Sequence, residues 1–242
     1  MTPAPYLDLL ARTLTNQIYG DPPIDPWSPP QFSRYRRERG LDWPSQAMTM
    51  IGDQRMANLR MAVETVIAEN IPGDLIECGI WRGGACIYMA GILAAYGVMD
   101  RHVYVADSFA GLPAPKCAQD AGDTHHIHPQ LSVSVETVKR NFRKFDLLTP
   151  AVRFLPGWFS DTLASSGIER LAVLRLDGDM YASTMDALVP LYPRVSPGGF
   201  VIVDDYHEVP GCKQAITDYR AEHGIVTEIR EIDGLGVYWR IE

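Results

Sequence analysis

From Gly73 onward, short apolar β-like runs alternate with segments of helical periodicity, and two of the runs stop at clustered carboxylates. Strands are predicted at Asp74–Gly79, His102–Asp107, Val152–Leu155, Leu171–Asp177 and Gly199–Asp204. Helices are predicted at Gly84–Tyr96, Val133–Phe145, Ala182–Tyr192 and Cys212–His223. Strand–helix alternation builds a doubly wound, mostly parallel α/β sheet with helices on both faces. The closing pair, Val226–Ile232 and Val237–Ile241 around Asp233-Gly234, predicts an antiparallel hairpin whose last strand opposes the rest.

The acidic stops are Asp177-Gly178-Asp179, after Leu171-Ala-Val-Leu-Arg-Leu176, and Asp204-Asp205, after Gly199-Phe-Val-Ile-Val203. In open α/β sheets ligands bind in the crevice outside the carboxyl ends of the strands. Neighbouring strands lie only about 4.8 Å apart, so these carboxylates converge if the two runs are adjacent. Packed like charges must share protons or hold a cation, and a hard, oxygen-seeking divalent ion suits such a set.

At 242 residues the chain fits one α/β domain with an appendage. Its net charge of −8 disfavours nucleic acid as a partner, because phosphate-backbone binding needs clustered Lys and Arg. Cys78, Cys86, Cys117 and Cys212 lack the spacing of a zinc site and read as small hydrophobes in a reducing compartment. Met1-Thr-Pro-Ala-Pro5 does not open a cleavable signal, and no apolar run is long enough to span a membrane. The expectation is a cytoplasmic protein with no membrane partner.

Ahead of the alternating region, Tyr6 to Gly20 has helical spacing, and Asp21-Pro-Pro-Ile-Asp-Pro-Trp-Ser-Pro-Pro30 excludes regular structure. Gln31–Arg39 is polar and basic, and Ser45–Asn70 again reads as helix. Helices and a loop placed before a core domain often cover an active site.

The first strand runs into Gly79, Gly83 and Gly84, glycines that permit a tight turn and close backbone approach to a ligand. The spacing is not GxGxxG, so alone it is a weak signal. The second strand ends at Asp107, roughly 25 positions later, where such folds place a carboxylate for ribose hydroxyls. Glu77, inside the first motif, would repel a pyrophosphate but tolerate an amino group and a sulfonium. That favours S-adenosylmethionine over NAD.

Five motifs occur in order: Glu77-Cys-Gly-Ile-Trp-Arg-Gly-Gly-Ala85, Ala106-Asp-Ser-Phe-Ala-Gly111, Arg153-Phe-Leu-Pro-Gly-Trp-Phe159, Leu174-Arg-Leu-Asp-Gly-Asp179 and Gly198-Gly-Phe-Val-Ile-Val-Asp-Asp205. With Tyr6-Leu-Asp-Leu-Leu-Ala-Arg-Thr-Leu-Thr-Asn16 and Thr49-Met-Ile-Gly52, the set resembles the macrocin O-methyltransferase family, magnesium- and S-adenosylmethionine-dependent enzymes that methylate sugar hydroxyls of antibiotics. The resemblance implies a class I, Rossmann-like methyltransferase fold, with residues 1–72 as a helical lid and loop and 73–242 as the cofactor-binding catalytic domain. It implies that Glu77, Gly79, Trp81 and Gly83 line the methionine end of the cofactor, and that Asp107 and Ser108 hold the ribose. Trp158 and Phe159 would border the adenine, and Thr49 would close over the cofactor from the N-terminal lid. Asp177, Asp204 and Asp205 would bind Mg2+, and Asp179 would be the general base. A small-molecule glycoside is the implied partner, and a homo-oligomer the expected assembly.

Methyl transfer to an alcohol is an in-line displacement that needs an aligned acceptor oxygen and removal of its proton. A metal beside that oxygen would lower its pKa and fix its position. Asp179 could instead cap the following helix, and Asp204-Asp205 could be a solvated turn. A histidine of Asp123-Thr-His-His-Ile-His128, or His207, remains an alternative acid, base or sugar contact. Met48, Met50, Met56 and Met61 fit a helix core or an aglycone pocket, and Trp27, Trp43 and Tyr35 fit sugar stacking or packing under a lid. Catechol-type methylation, a metal-dependent carbohydrate-binding module and an NAD oxidoreductase are the competing readings.

Overall fold

A computed structural model describes residues 2–242. The chain forms α1 (Ala4–Leu14), α2 (Arg34–Glu38), α3 (Gly52–Ala68), β1 (Asp74–Cys78), α4 (Gly84–Ala95), β2 (Val103–Asp107), α5 (Val135–Lys144), β3 (Val152–Pro156), α6 (Phe159–Thr162), β4 (Leu171–Leu176), α7 (Tyr181–Leu191), β5 (Val195–Val203), α8 (Pro210–Glu222), β6 (Arg230–Glu231) and β7 (Val237–Arg240). One seven-stranded sheet runs β3-β2-β1-β4-β5-β7-β6. Its first five strands are parallel, and β7 is antiparallel to both β5 and β6, as the closing hairpin predicts.

Period-two alternation divides the strand side chains between two cores. Leu75, Val103, Val105, Val173 and Ile202 face α3, α4 and α5, with Leu7, Leu10 and Leu14 of α1 packed outside them. Ile76, Leu174, Leu176, Val201 and Val203 face α7 and α8. Helix α4 is apolar on every side because α1, α3 and the sheet enclose it. Cys78, Cys86 and Cys212 are buried among these residues. No helix of the described residues is long and apolar enough to cross a membrane.

The elements differ from the sequence expectation where tertiary contacts claim the backbone. Residues 45–51 are not helical: Met48 N–H donates to Leu14 O, and Met48 O accepts from Gly84 N–H. Gly52, at φ +70°, then opens α3. Strand β5 begins at Val195, earlier than expected, and the penultimate strand shrinks to Arg230–Glu231. The long loop after β2 carries three short 3-10 turns.

Candidate active site at the carboxyl ends of β1, β4 and β5

The chain lays β2 and β3 on one side of β1 and then returns to place β4 on the other, so the switch point lies between β1 and β4. Gly79 ends β1 there with φ +88°, and a Cβ at this position would lie 1.7 Å from Asp177 O. The glycine therefore makes the tight turn expected of it and lets two strand ends meet, and it also borders the cavity described below. Gly84 likewise faces Met48 O, where a Cβ would come within 2.5 Å. Gly83 stands left-handed against Val138 and Phe142, away from the cavity that the other expected residues line.

Asp107 fastens this turn. Its carboxylate accepts from Ile80 N–H at 2.9 Å and from Phe109 N–H at 2.6 Å. Burial raises its pKa, and those backbone donors pull it back. Ser108 Oγ donates to Gly111 O at 2.7 Å and accepts from Ala110 N–H at 3.0 Å. The Trp81 indole N–H donates to Gln130 O at 2.9 Å, tying the glycine turn to the long loop.

On the other side of the switch point, Asp177, Asp204 and Asp205 each offer a carboxylate oxygen within 4.8 Å of the other two. Sequence reasoning missed their counter-ions. Arg175, 1% exposed on β4, donates through Nη1 to Glu77 at 2.5 Å and Asp177 at 2.6 Å, and through Nη2 to Asp204. Register places it there, since Glu77 pairs with Arg175 across β1 and β4. Arg55 of α3 reaches the second oxygen of Asp204 and bonds Asp233 of the closing hairpin at 2.9 Å. An arginine inside an apolar run of a sheet buried on both faces was the available signal, because such a charge must be paired.

Among the described residues no arginine pairs with Asp205; its Oδ2 accepts from Asp179 N–H at 3.0 Å. Burial raises its pKa well above the carboxylate range, and the charges of Asp179, Asp177 and Asp204 add to that. Asp177 is also raised by burial and by Asp204, against the opposing pull of Arg175. Asp179, left-handed at φ +57°, is pushed up to about 6 by burial, with His125 opposing and Asp123 adding to the rise.

A cavity of about 480 Å³ opens over this edge, within the range of small-molecule sites. Thr49, Glu77, Gly79, Trp81, Asp107, Ser108, Trp158, Phe159, Asp177, Asp179, Asp204 and Asp205 all line it. Trp27, Trp43, Met50 and His125 join them, whereas His207 pairs with Glu231 outside the wall at 2.8 Å. Met56 belongs to the core, Met48 and Met61 pack against it, and Tyr35 lies exposed under Arg39. Glu77 borders the cavity, but its carboxylate is held by Arg175 and receives the Cys86 thiol, so its charge is already matched. Three converging carboxylates, two of them with raised pKa, are the donor set that a hard divalent cation takes up.

The cavity and its carboxylate cluster sit where open α/β sheets bind their ligands, and comparison with known proteins gives the family. Residues 3–241 match the family described as macrocin-O-methyltransferase (TylF). The chain is 52% identical to the demethyldecarbamoylnovobiocin O-methyltransferase of Streptomyces niveus, over 97% of this chain and 92% of that protein. It is 50% identical to the mycinamicin III 3''-O-methyltransferase of Micromonospora griseorubida, over 97% and 95%. The solved structure of the O-methyltransferase NovP superposes with a TM-score of 0.95 at 51% identity, covering 99% of each chain. The chain thus belongs to the macrocin-O-methyltransferase family, and it is an S-adenosylmethionine-dependent O-methyltransferase.

Proposed function

We propose that the protein uses a divalent cation, magnesium by its chemistry, to methylate a sugar hydroxyl of a glycosylated natural product. The convergence of Asp177, Asp204 and Asp205 beside Asp179 in one cavity carries this reading. Both relatives named above are, by name, enzymes of antibiotic methylation.

In this reading Asp177, Asp204 and Asp205 hold the metal. Glu77, Gly79 and Trp81 border the methionine end of the cofactor, Asp107 and Ser108 the ribose, Trp158 and Phe159 the adenine, and Thr49 covers it. Gly83 shapes the turn from behind. When bound, the cofactor supplies an electrophilic methyl on a sulfonium, and the cation supplies positive charge at the acceptor oxygens. Asp179 takes the hydroxyl proton. Its pKa of about 6 makes it a stronger base than an ordinary carboxylate while leaving it ionised near neutrality. Arg175 and Arg55 hold Asp204 by both oxygens, fixing its orientation before anything binds. Helices α1 and α3 belong to the core, so the covering part of residues 1–72 is the stretch 21–51, which brings Trp27, Trp43, Thr49 and Met50 to the cavity.

The test is isotope transfer from labelled S-adenosylmethionine to demethyldecarbamoylnovobiocin, mycinamicin III and a simple catechol, with and without EDTA. Transfer to a glycoside, lost in EDTA and restored by magnesium, is expected. Undiminished turnover in chelator, or preference for the catechol, would refute the proposal.

A further inference from the structure

S-adenosylmethionine carries a carboxylate at its methionine end, and a charge taken into a cavity needs a partner there. This cavity supplies few, because its wall carries Asp42, Asp161, Asp186 and Glu208 beside the strand-end acids. Among the described residues three permanently cationic side chains line it: Arg36, Arg55 and Lys116. Arg55 is already committed to Asp204, to Asp233 at 2.9 Å and to Gly40 O at 3.3 Å. Lys116 is exposed on the loop between β2 and α5, and its charge falls on Asp186 of α7. Arg36, on α2, pairs with no carboxylate among the described residues. Its guanidinium donates through Nη2 to Leu41 O, and its buried Nε–H has no hydrogen-bond partner among the described residues.

A buried donor left unpaired is costly, and a guanidinium is shaped to give parallel N–H bonds to a carboxylate. The neighbouring Arg37 fixes where this one stands. Fully buried, Arg37 donates to Asp21 at 2.7 Å, Asp42 at 2.9 Å and Thr15 O at 3.0 Å, which locks α2 in place. Successive residues of a helix point about 100° apart, so Arg37 serves the protein interior while Arg36 turns to the cavity. Leu41, which receives Arg36, follows Gly40, whose carbonyl receives Arg55. Arg55 reaches Asp204, and Arg175 joins Asp204 to Glu77. These contacts tie the stretch that bears Arg36 to the Glu77 side of the strand-end edge.

We propose that Arg36 binds the α-carboxylate of S-adenosylmethionine, so that the covering stretch 21–51 supplies part of the cofactor site itself. The inference rests on the methionine end lying beside Glu77, as in the proposed function, and needs neither the cation nor the sugar.

Calorimetry tests it with two ligands, S-adenosylhomocysteine and its decarboxylated analogue, on the wild type, Arg36→Gln and Arg36→Lys. The wild type should prefer the carboxylate-bearing ligand by at least about tenfold. Arg36→Gln should weaken S-adenosylhomocysteine by a similar factor while binding the analogue within about twofold of wild type, which also shows that the variant is folded. Arg36→Lys should keep part of the preference, because a point charge remains. Equal weakening of both ligands, or undiminished S-adenosylhomocysteine affinity in Arg36→Gln, would overturn the proposal. A variant that binds both ligands normally and only raises the acceptor KM would overturn it too, by assigning the arginine to the acceptor. Failure of the cofactor placement shows separately, as unchanged S-adenosylhomocysteine affinity in Asp107→Asn, and the ratio of the two ligands decides the role of Arg36 in either case.

Discussion

The two halves of the strand-end edge handle buried carboxylates in opposite ways. On the β1–β2 half, Asp107 is surrounded by backbone N–H donors from the turn it fastens. Its negative charge is satisfied by the fold. On the β4–β5 half, carboxylates outnumber their partners: Arg175 and Arg55 serve Glu77, Asp177, Asp204 and Asp233, while Asp205 has only the Asp179 amide. One half is complete without a ligand, and the other keeps surplus negative charge at a single point. Strand-end acids are thus not equivalent, and what donates to them separates a staple from the proposed cation site.

The largest expected break in this contrast is Arg175→Met, which leaves Glu77, Asp177 and Asp204 without their shared counter-ion. Removing one member of a buried ionic set costs about 3–5 kcal/mol, so chemical denaturation should show a loss of that size or no cooperative transition. Gly79→Ala strikes the seam itself. With φ +88° and Asp177 O in the way of a Cβ, a loss of about 3 kcal/mol is expected, together with weaker cofactor and cation binding.

Saturating magnesium should stabilise the protein by about 2.7 kcal/mol at a hundredfold excess over Kd, with a pH dependence that fixes the sign. Asp177 and Asp205 have pKa values raised by burial and by neighbouring carboxylates, and Asp179 rises from 3.8 to about 6. Groups raised in the folded state contribute stability that is present below the unfolded pKa and lost as pH rises through the folded one. The metal-free protein should therefore lose stability from this cluster as pH climbs from about 4 through 6 and beyond. The increment in Tm from magnesium should grow over the same interval, as protons stop competing for the ligands.

Asp107→Asn should cost about 1–3 kcal/mol, since a carboxamide can accept only through one oxygen and leaves an N–H of Ile80 or Phe109 unpaired. Affinity for S-adenosylhomocysteine should fall while cation affinity stays, which distinguishes the staple from the cluster. Ser108→Ala, losing the bond to Gly111 O, should cost about 1 kcal/mol, again without effect on the cation.

How much of this was legible in the sequence follows from the range of the forces involved. The alternation after Gly73, the hairpin and the acidic strand ends are local patterns, and each predicted strand lies near where the chain forms one. Residues 45–51 misread as helix because their backbone partners, Leu14 and Gly84, lie far away in sequence. Arg55 and Arg175 went unnoticed for the same reason: Arg55 meets Asp204 only when α3 packs on the sheet, and Arg175 meets Glu77 only in the β1–β4 register. The glycines predict a tight turn and a close ligand approach, and of the three only Gly79 borders the cavity, because Gly84 and Gly83 face Met48 O and Val138 instead.

The central claim, that the surplus charge of the β4–β5 half is a divalent cation site, is tested most directly by electron paramagnetic resonance titration with Mn2+. The wild type is expected to bind one ion, displaceable by magnesium, with affinity lost at least tenfold in Asp205→Asn and retained in Asp107→Asn. Equal binding in the wild type and Asp205→Asn, or no binding in the wild type, would contradict the account.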